Sequence, residues 1–163
     1  MNTETEEKYV SMRLAHGDIE NVIRLLNRAR PEDDLIVKST LIRYCIIEYA
    51  RPFKESRGVF SRKFRPLEKE NVFQGGNAGH EKLMIERDQR IAHGDITALC
   101  PKLHYWREGD IFPIVQKTSQ LYNDLNILID EMLGLCDVVL RYLSNELSRL
   151  ETGFREQINN NRA

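Results

Sequence analysis

The sequence predicts a single all-α domain, an up-and-down helical bundle closed by a long C-terminal helix. Three observations carry that expectation. Most segments longer than ten residues repeat their apolar positions every three or four residues, the period of a helix face. Proline and glycine cluster between those segments. The last third carries one such stripe over many turns, with Leu121, Leu125, Leu128, Met132, Leu135, Val139 and Tyr142 at alternating steps of four and three.

Taken in order, residues 4 to 29 read as helical, either as two helices or as one with a bend. Tyr9, Met12 and Ala15 precede His16-Gly17-Asp18, and Ile19, Val22, Ile23, Leu25 and Leu26 follow. Gly17 weakens a helix interior by about 1 kcal/mol relative to alanine, and Asp18 is suited to cap a second helix. Pro31 fits the first turn of the next helix, with Glu32, Asp33 and Asp34 at its positive end. From Leu35 to Tyr49 that helix is apolar on most sides, which predicts a central position in the bundle.

The stretch Arg51 to Pro66 changes character. Arg51, Lys54, Arg57, Arg62, Lys63 and Arg65 stand against one acid, Glu55, with Phe53, Phe60 and Phe64 interleaved. Cations alternating with aromatic rings suit a single-stranded RNA, by neutralising phosphates and stacking on bases. The same composition also describes a solvated loop pinned to the bundle by its phenylalanines, and the sequence leaves both readings open. Asn71 to Gly79, with Gly75, Gly76 and Gly79, reads as a mobile connection, and His80 at its end as solvent-exposed or near a helix start. No Gly-Lys-Ser/Thr follows those glycines, so they are not a phosphate loop.

Glu81 to Ile96 is the stretch with the most chemistry. It reads as a helix ended by Gly94, which places His93 in its last turn, one and two turns after Arg90 and Arg87. Arg13 to Ile19 nearly repeats Arg90 to Ile96, but Val10 and Ser11 stand where Arg87 and Asp88 would be, so only the second copy carries the full set. Beyond it, His104-Tyr105-Trp106 and Ile111-Phe112 read as a short hairpin or an extended flap, and His104 as either a second site histidine or a residue of a surface turn. In the final helix Ile127, Ile129, Leu133, Val138 and Leu140 add apolar positions beyond one seam, so it would face its own bundle on one side and a partner or neighbouring helix on another. Gly134 inside it would permit a bend or a close approach, and the tail from about 158 should fray.

Composition narrows the function classes. With 163 residues, 41% hydrophobic and 30% charged, the chain is long enough for one substantial core. A formal net charge of −1 gives no global field for nucleic acid, so any RNA contact must be local. Cys45, Cys100 and Cys136 lie far apart, with no spacing for zinc or a disulfide framework, and read as buried thiols of a reducing compartment. The acidic, polar start is no signal peptide, and no run approaches the ~18 apolar residues of a membrane span. A cytoplasmic protein with no metal and no cofactor is the expectation.

Arg87-Asp88-Gln89-Arg90-Ile91-Ala92-His93 resembles the signature of the HEPN superfamily of all-α domains: an arginine, four to six residues, then a histidine, often with Asn, Asp or His directly after the arginine. The match is sharp over about a dozen residues and otherwise rests on the helical layout. The resemblance implies a bundle that pairs as a homodimer about a two-fold axis, and, in the ribonuclease members, RNA cleavage without metal, as in toxin or phage-defence systems with an antitoxin protein as a further partner. Carried onto this chain, Arg87 would contact the scissile phosphate, His93 would move the proton of the 2′-hydroxyl or leaving oxygen, and Asp88 would orient them, with Arg90 as a further phosphate ligand. Other domains resembling HEPN are non-catalytic, and serve dimerisation or the binding of RNA or nucleotide. On a straight helix Arg87 and His93 lie about 120° apart, so one chain alone does not bring them together. Opposite protomers of a dimer, or unwinding near Gly94, would.

Overall fold

The computed structural model describes residues 3–55, 65–88, 102–105, 111–114 and 124–160. Among these, the order is α1 (Thr3–Ala29), α2 (Leu35–Ala50), a 3₁₀ turn (Arg51–Phe53), α3 (Lys69–Val72), α4 (Ala78–Ile85), β1 (Lys102–Tyr105), β2 (Ile111–Ile114) and α5 (Leu125–Asn160). The architecture is the expected all-α bundle with a long C-terminal helix. The short hairpin after the motif helix is also there, with His104 opposite Phe112 and Tyr105 opposite Ile111 in an antiparallel ladder.

α1 and α5 form the frame. Met12, Ala15, Ile19, Val22, Leu26 and Ala29 line one face of α1 at steps of three and four, and all are buried. They meet Leu128, Met132, Leu135, Val139, Leu143 and Leu147 of α5 in one continuous core. Each large side chain so buried contributes about 1.5–3 kcal/mol. The two helices run antiparallel: Lys8 near the start of α1 reaches Glu146 (3.8 Å), and Arg30 just past its end pairs with Asp130 near the start of α5. Asp124 caps α5, its carboxylate accepting from the amides of Asn126 (2.9 Å) and Ile127 (3.3 Å).

α1 is one continuous helix, not two. Twenty-seven residues with a single buried stripe outweigh the cost of one exposed glycine, and Asp18 pairs with Arg51 (3.4 Å) instead of capping. The second helix also starts later than its proline suggested. Asp34 is the cap, accepting from Ile36 and Val37, and Pro31 lies outside in the connection. The Lys38 ammonium donates to the Arg30 carbonyl (3.0 Å), where it satisfies the open carbonyl end of α1.

α2 is not a central helix. Ile42, Cys45, Ile46 and Tyr49 pack inward, but Leu35 and Ile36 are 68% and 77% exposed, and Val37, Tyr44 and Ile47 also face out. Its many apolar positions are divided between the core and an exposed outer face. In α5, Ile127 is exposed while Ile129 is buried, so the additional apolar positions divide between core and surface. A Cβ at Gly134 would meet nothing within 4 Å, so no close approach occurs there, and the helix persists to Asn160 instead of fraying from 158. Cys45 and Cys136 are buried free thiols, as read from the sequence, and burial pushes both up to about 12. Cys100 lies outside the described residues.

Candidate functional site

Two chain segments meet at the far end of α2. Pro52 opens the 3₁₀ turn, and Phe53 is buried beneath it (5% exposed). The next residue, Lys54, points the other way. After the segment 56–64 the chain returns, and the Leu67 amide donates to the Pro52 carbonyl (3.0 Å) while buried Leu67 anchors the return.

The connection at 71–79 has defined local structure. α3 and a glycine turn occupy it, with Gly75 and Gly76 at φ +91° and +90°, a region that favours glycine. Asn77 then caps α4, accepting from the His80 amide (3.0 Å), so the motif helix begins at Ala78, earlier than Glu81.

His80 stands near a helix start, in the first turn of α4, but is buried (2% exposed) and not at the surface. It shares a 2.9 Å hydrogen bond through Nδ1 with the Tyr49 hydroxyl and sits against Phe53 (4.6 Å) and Phe73 (4.8 Å), measured between ring centres. Burial lowers its proton affinity, and the opposing pull of Glu81 does not restore it. Burial likewise raises Tyr49 far above the usual phenol range, so both groups are neutral. Sequence reasoning missed this quartet because its members come from four places in the chain: α2, the 3₁₀ turn, the end of α3 and α4. The glycines before His80 also read as a loop. Phe53, a stacking candidate, belongs to the quartet and is closed to any base.

α4 gives way at its C-terminal end to a π turn over residues 86–88, with Glu86 buried and Arg87 and Asp88 half-exposed. A π turn closes i→i+5 bonds instead of i→i+4, so the angular spacing of a straight helix does not hold over residues 86–88. Within it Asp88 takes one cation on each oxygen: Arg87 Nη1 donates to Oδ1 at 2.8 Å, and Lys54 Nζ to Oδ2 at 2.6 Å. The three side chains are 28% (Arg87), 39% (Asp88) and 33% (Lys54) exposed. Partial burial pushes the Asp88 carboxyl up, but the hydrogen bonds from Lys54 and then Arg87 outweigh it and hold it below the usual carboxylate range.

The structure thus brings Arg87 and Asp88 of the motif together with Lys54 of the basic stretch. It does not bring Arg51 or Arg65 there. Arg51 pairs with buried Glu48 (2.7 Å) and with Asp18, and Arg65 pairs with Glu68 (2.9 Å) and Glu55 (3.5 Å). His93, Arg90, Arg57, Arg62 and Lys63 lie outside the described residues, as do Phe60 and Phe64. Nothing is described of the side chain of His104.

The near-repeat in α1 is engaged in contacts within the bundle. Arg13 donates from Nε to the Tyr9 hydroxyl (3.0 Å) and from Nη2 to Glu151 (2.5 Å), and His16 lies 3.5 Å from Glu20 one turn on. A polar groove of about 460 Å³ lies elsewhere, lined from α1, α3 and α5 by Lys8, Glu70, Asn71, Tyr142 and Arg149. Its two cations both contact Glu146, so it offers no surplus charge. Among the described residues no cluster of His, Cys, Asp or Glu could hold a metal, and no helix is long and apolar enough to cross a membrane.

No family model matches the chain, and neither the curated proteins nor the solved structures yield a match.

Proposed function

We propose that the chain is a metal-independent endoribonuclease of the HEPN kind, acting as a homodimer in a toxin or phage-defence setting, with an antitoxin as its natural restraint. The observation that supports this reading most is the half-exposed corner in which motif residues Arg87 and Asp88 meet Lys54. Two cations share one carboxylate there, at the end of a helix that departs from regular geometry. Arg87 holds the scissile phosphate and opposes the charge that builds on it during attack by the 2′-hydroxyl. His93 takes or returns the proton through its imidazole, and a 2′,3′-cyclic phosphate end results. Asp88 orients Arg87.

The test is cleavage of total RNA and single transcripts in EDTA, with His93→Ala beside wild type. Wild type should cut and leave cyclic-phosphate ends, and the variant should lose at least about 10²-fold in rate, as expected for a missing acid–base group. If the site is shared between protomers, mixing inactive Arg87→Ala with inactive His93→Ala should restore part of the cleavage, because the mixed dimer keeps one arginine and one histidine in a single cleft. No cleavage of any RNA by a folded dimer would exclude the enzyme.

A second reading has its own observation. The described side-chain hydrogen bond of Arg87 goes to Asp88, and Arg51, Lys54 and Arg65 each pair with a carboxylate. A non-catalytic module that dimerises or binds RNA or nucleotide would have this self-paired surface. It would show the same dimer, no cleavage, and a loss of stability in Arg87→Ala.

A further inference from the structure

The corner formed by Lys54, Arg87 and Asp88 pairs two cations with one acid. Two cations flank one carboxylate, each bonded to a different oxygen. A phosphodiester or phosphate monoester presents the same feature, two anionic oxygens on one centre, and guanidinium and ammonium groups bind it by the same charge-assisted hydrogen bonds. All three side chains are between a quarter and two-fifths exposed, so an incoming anion can reach them. Ion pairs this exposed hold weakly, so displacing the carboxylate costs little.

The two cations are fixed from beneath by different means. Lys54 follows buried Phe53 and the 3₁₀ turn, which the Leu67 amide ties to the returning chain. Arg87 leaves the π turn that ends α4. The quartet of Tyr49, Phe53, Phe73 and His80 packs the two segments together, with the Phe53 and His80 ring centres 4.6 Å apart. The spacing of Lys54 and Arg87 is therefore set by the core and does not depend on Asp88 alone.

We propose that Lys54 and Arg87 form a two-cation clamp for one phosphate group, and that the Asp88 carboxylate is its resident occupant, displaced when phosphate binds. This rests on the RNA-directed reading above and adds to it a binding residue, Lys54, outside the arginine–histidine motif. It also changes the part played by Asp88, from orienting Arg87 to competing with the ligand.

The competition has a sign that a purely orienting role lacks. Binding is measured at low salt to a 2′-O-methyl RNA oligonucleotide, which has no free 2′-hydroxyl to attack, and separately to adenosine monophosphate and to inorganic phosphate. Asp88→Asn keeps the shape and removes the competing charge, and should tighten binding several-fold. Lys54→Ala should weaken it roughly tenfold, the worth of one charge-assisted hydrogen bond, and Lys54→Arg should recover most of the loss. Arg149→Ala, which removes the same charge from α5, should change nothing beyond a general salt effect. Circular dichroism melts confirm that each variant is folded.

Weaker binding by Asp88→Asn, or equal losses in Lys54→Ala and Arg149→Ala, would overturn the clamp. So would wild type that binds none of the three probes. The two proposals fail separately. RNA cutting with no response to Lys54 or Asp88 removes the clamp and leaves the ribonuclease. Tightened phosphate binding by Asp88→Asn without any cutting keeps the clamp and removes the ribonuclease. Tightening for the monophosphate but not for the oligonucleotide would assign the clamp to free nucleotides instead of an RNA backbone.

Discussion

Two of the arginine–carboxylate clusters on this bundle are built differently. At the open end of α1 and α5, Glu151 accepts from Tyr9 (2.9 Å) and Arg13 (2.5 Å) on the same oxygen, and the Arg13 guanidinium lies 5.5 Å from the Tyr9 ring centre. Phe154 packs edge-on against Tyr9 from below. One cation and one neutral hydroxyl bond the acid there on a single oxygen, with Arg155 a further positive charge nearby. At the Lys54–Arg87–Asp88 corner the acid has two cations, drawn from segments over thirty residues apart, on separate oxygens. The first cluster fastens two long helices. The second holds two cations from different segments on the two oxygens of one acid, and that arrangement, not the presence of an arginine, separates a candidate anion site from a fastening.

The largest effect that sharpens this contrast comes from the aromatic side chain beneath each cluster. Phe53→Ala empties a buried position and should cost about 3–5 kcal/mol in urea unfolding. Because Lys54 is the next residue, the same change should also weaken phosphate binding at temperatures where the variant is still folded. Phe154→Ala, at a half-buried ring, should cost clearly less and leave phosphate binding alone. Equal costs, or a phosphate effect at Phe154, would erase the distinction.

A second effect depends on pH. The folded-state pKa of His80 is lowered by burial from the ordinary 6.5. Above 6.5 the imidazole is neutral in both folded and unfolded chains and the full stability is present. As pH falls below 6.5 the unfolded chain takes up a proton that the folded chain resists, so stability drops, at up to about 1.4 kcal/mol per pH unit for one proton. Asp88, also depressed, contributes only further down, below its ordinary 3.8. Stability measured from pH 7 downward should therefore fall first from His80. The double variant Tyr49→Phe/His80→Phe, which removes both hydrogen-bond partners at once, should flatten that segment at little cost at pH 7. A wild-type curve flat from 7 to 5 would contradict the burial of a neutral histidine.

Much of the frame was legible in the sequence because heptad-like stripes report burial directly. Met12 to Ala29 and Leu128 to Leu147 lie on the core as their spacing requires. Local turn chemistry was less legible. Asn77 as a cap, Gly75 and Gly76 at positive φ, and the short α3 give an apparent linker defined local structure before α4. For α2, an apolar outer face and a fully buried helix give the same composition, and only neighbours distinguish them. The corner itself was half legible. Arg87 and Asp88 stood out as a pattern, and Lys54 appeared among six cations with nothing to mark it. Its selection depends on the 3₁₀ turn that buries Phe53 and turns the next side chain toward Asp88, a long-range fact no local spacing encodes.

Smaller effects test the fastening at the other end. Tyr9→Phe removes one hydroxyl that both donates to Glu151 and accepts from Arg13, and should lower stability by about 1 kcal/mol without any change in phosphate binding or RNA cleavage. The smallest effect, and the only gain, is at Gly17. It lies inside continuous α1 on an exposed surface, and a Cβ there would meet nothing within 4 Å. Gly17→Ala therefore removes the backbone entropy of glycine with no steric cost, and should stabilise by about 0.5–1 kcal/mol, read as a higher thermal midpoint. The residue belongs to the segment that nearly repeats Arg90 to Ile96. If that first copy were a second functional site, with Gly17 kept for a turn or a close ligand, alanine would disturb RNA binding or cleavage and yield no gain. A more stable variant with unaltered RNA behaviour assigns the first copy to the architecture of α1 and leaves the chemistry to the second.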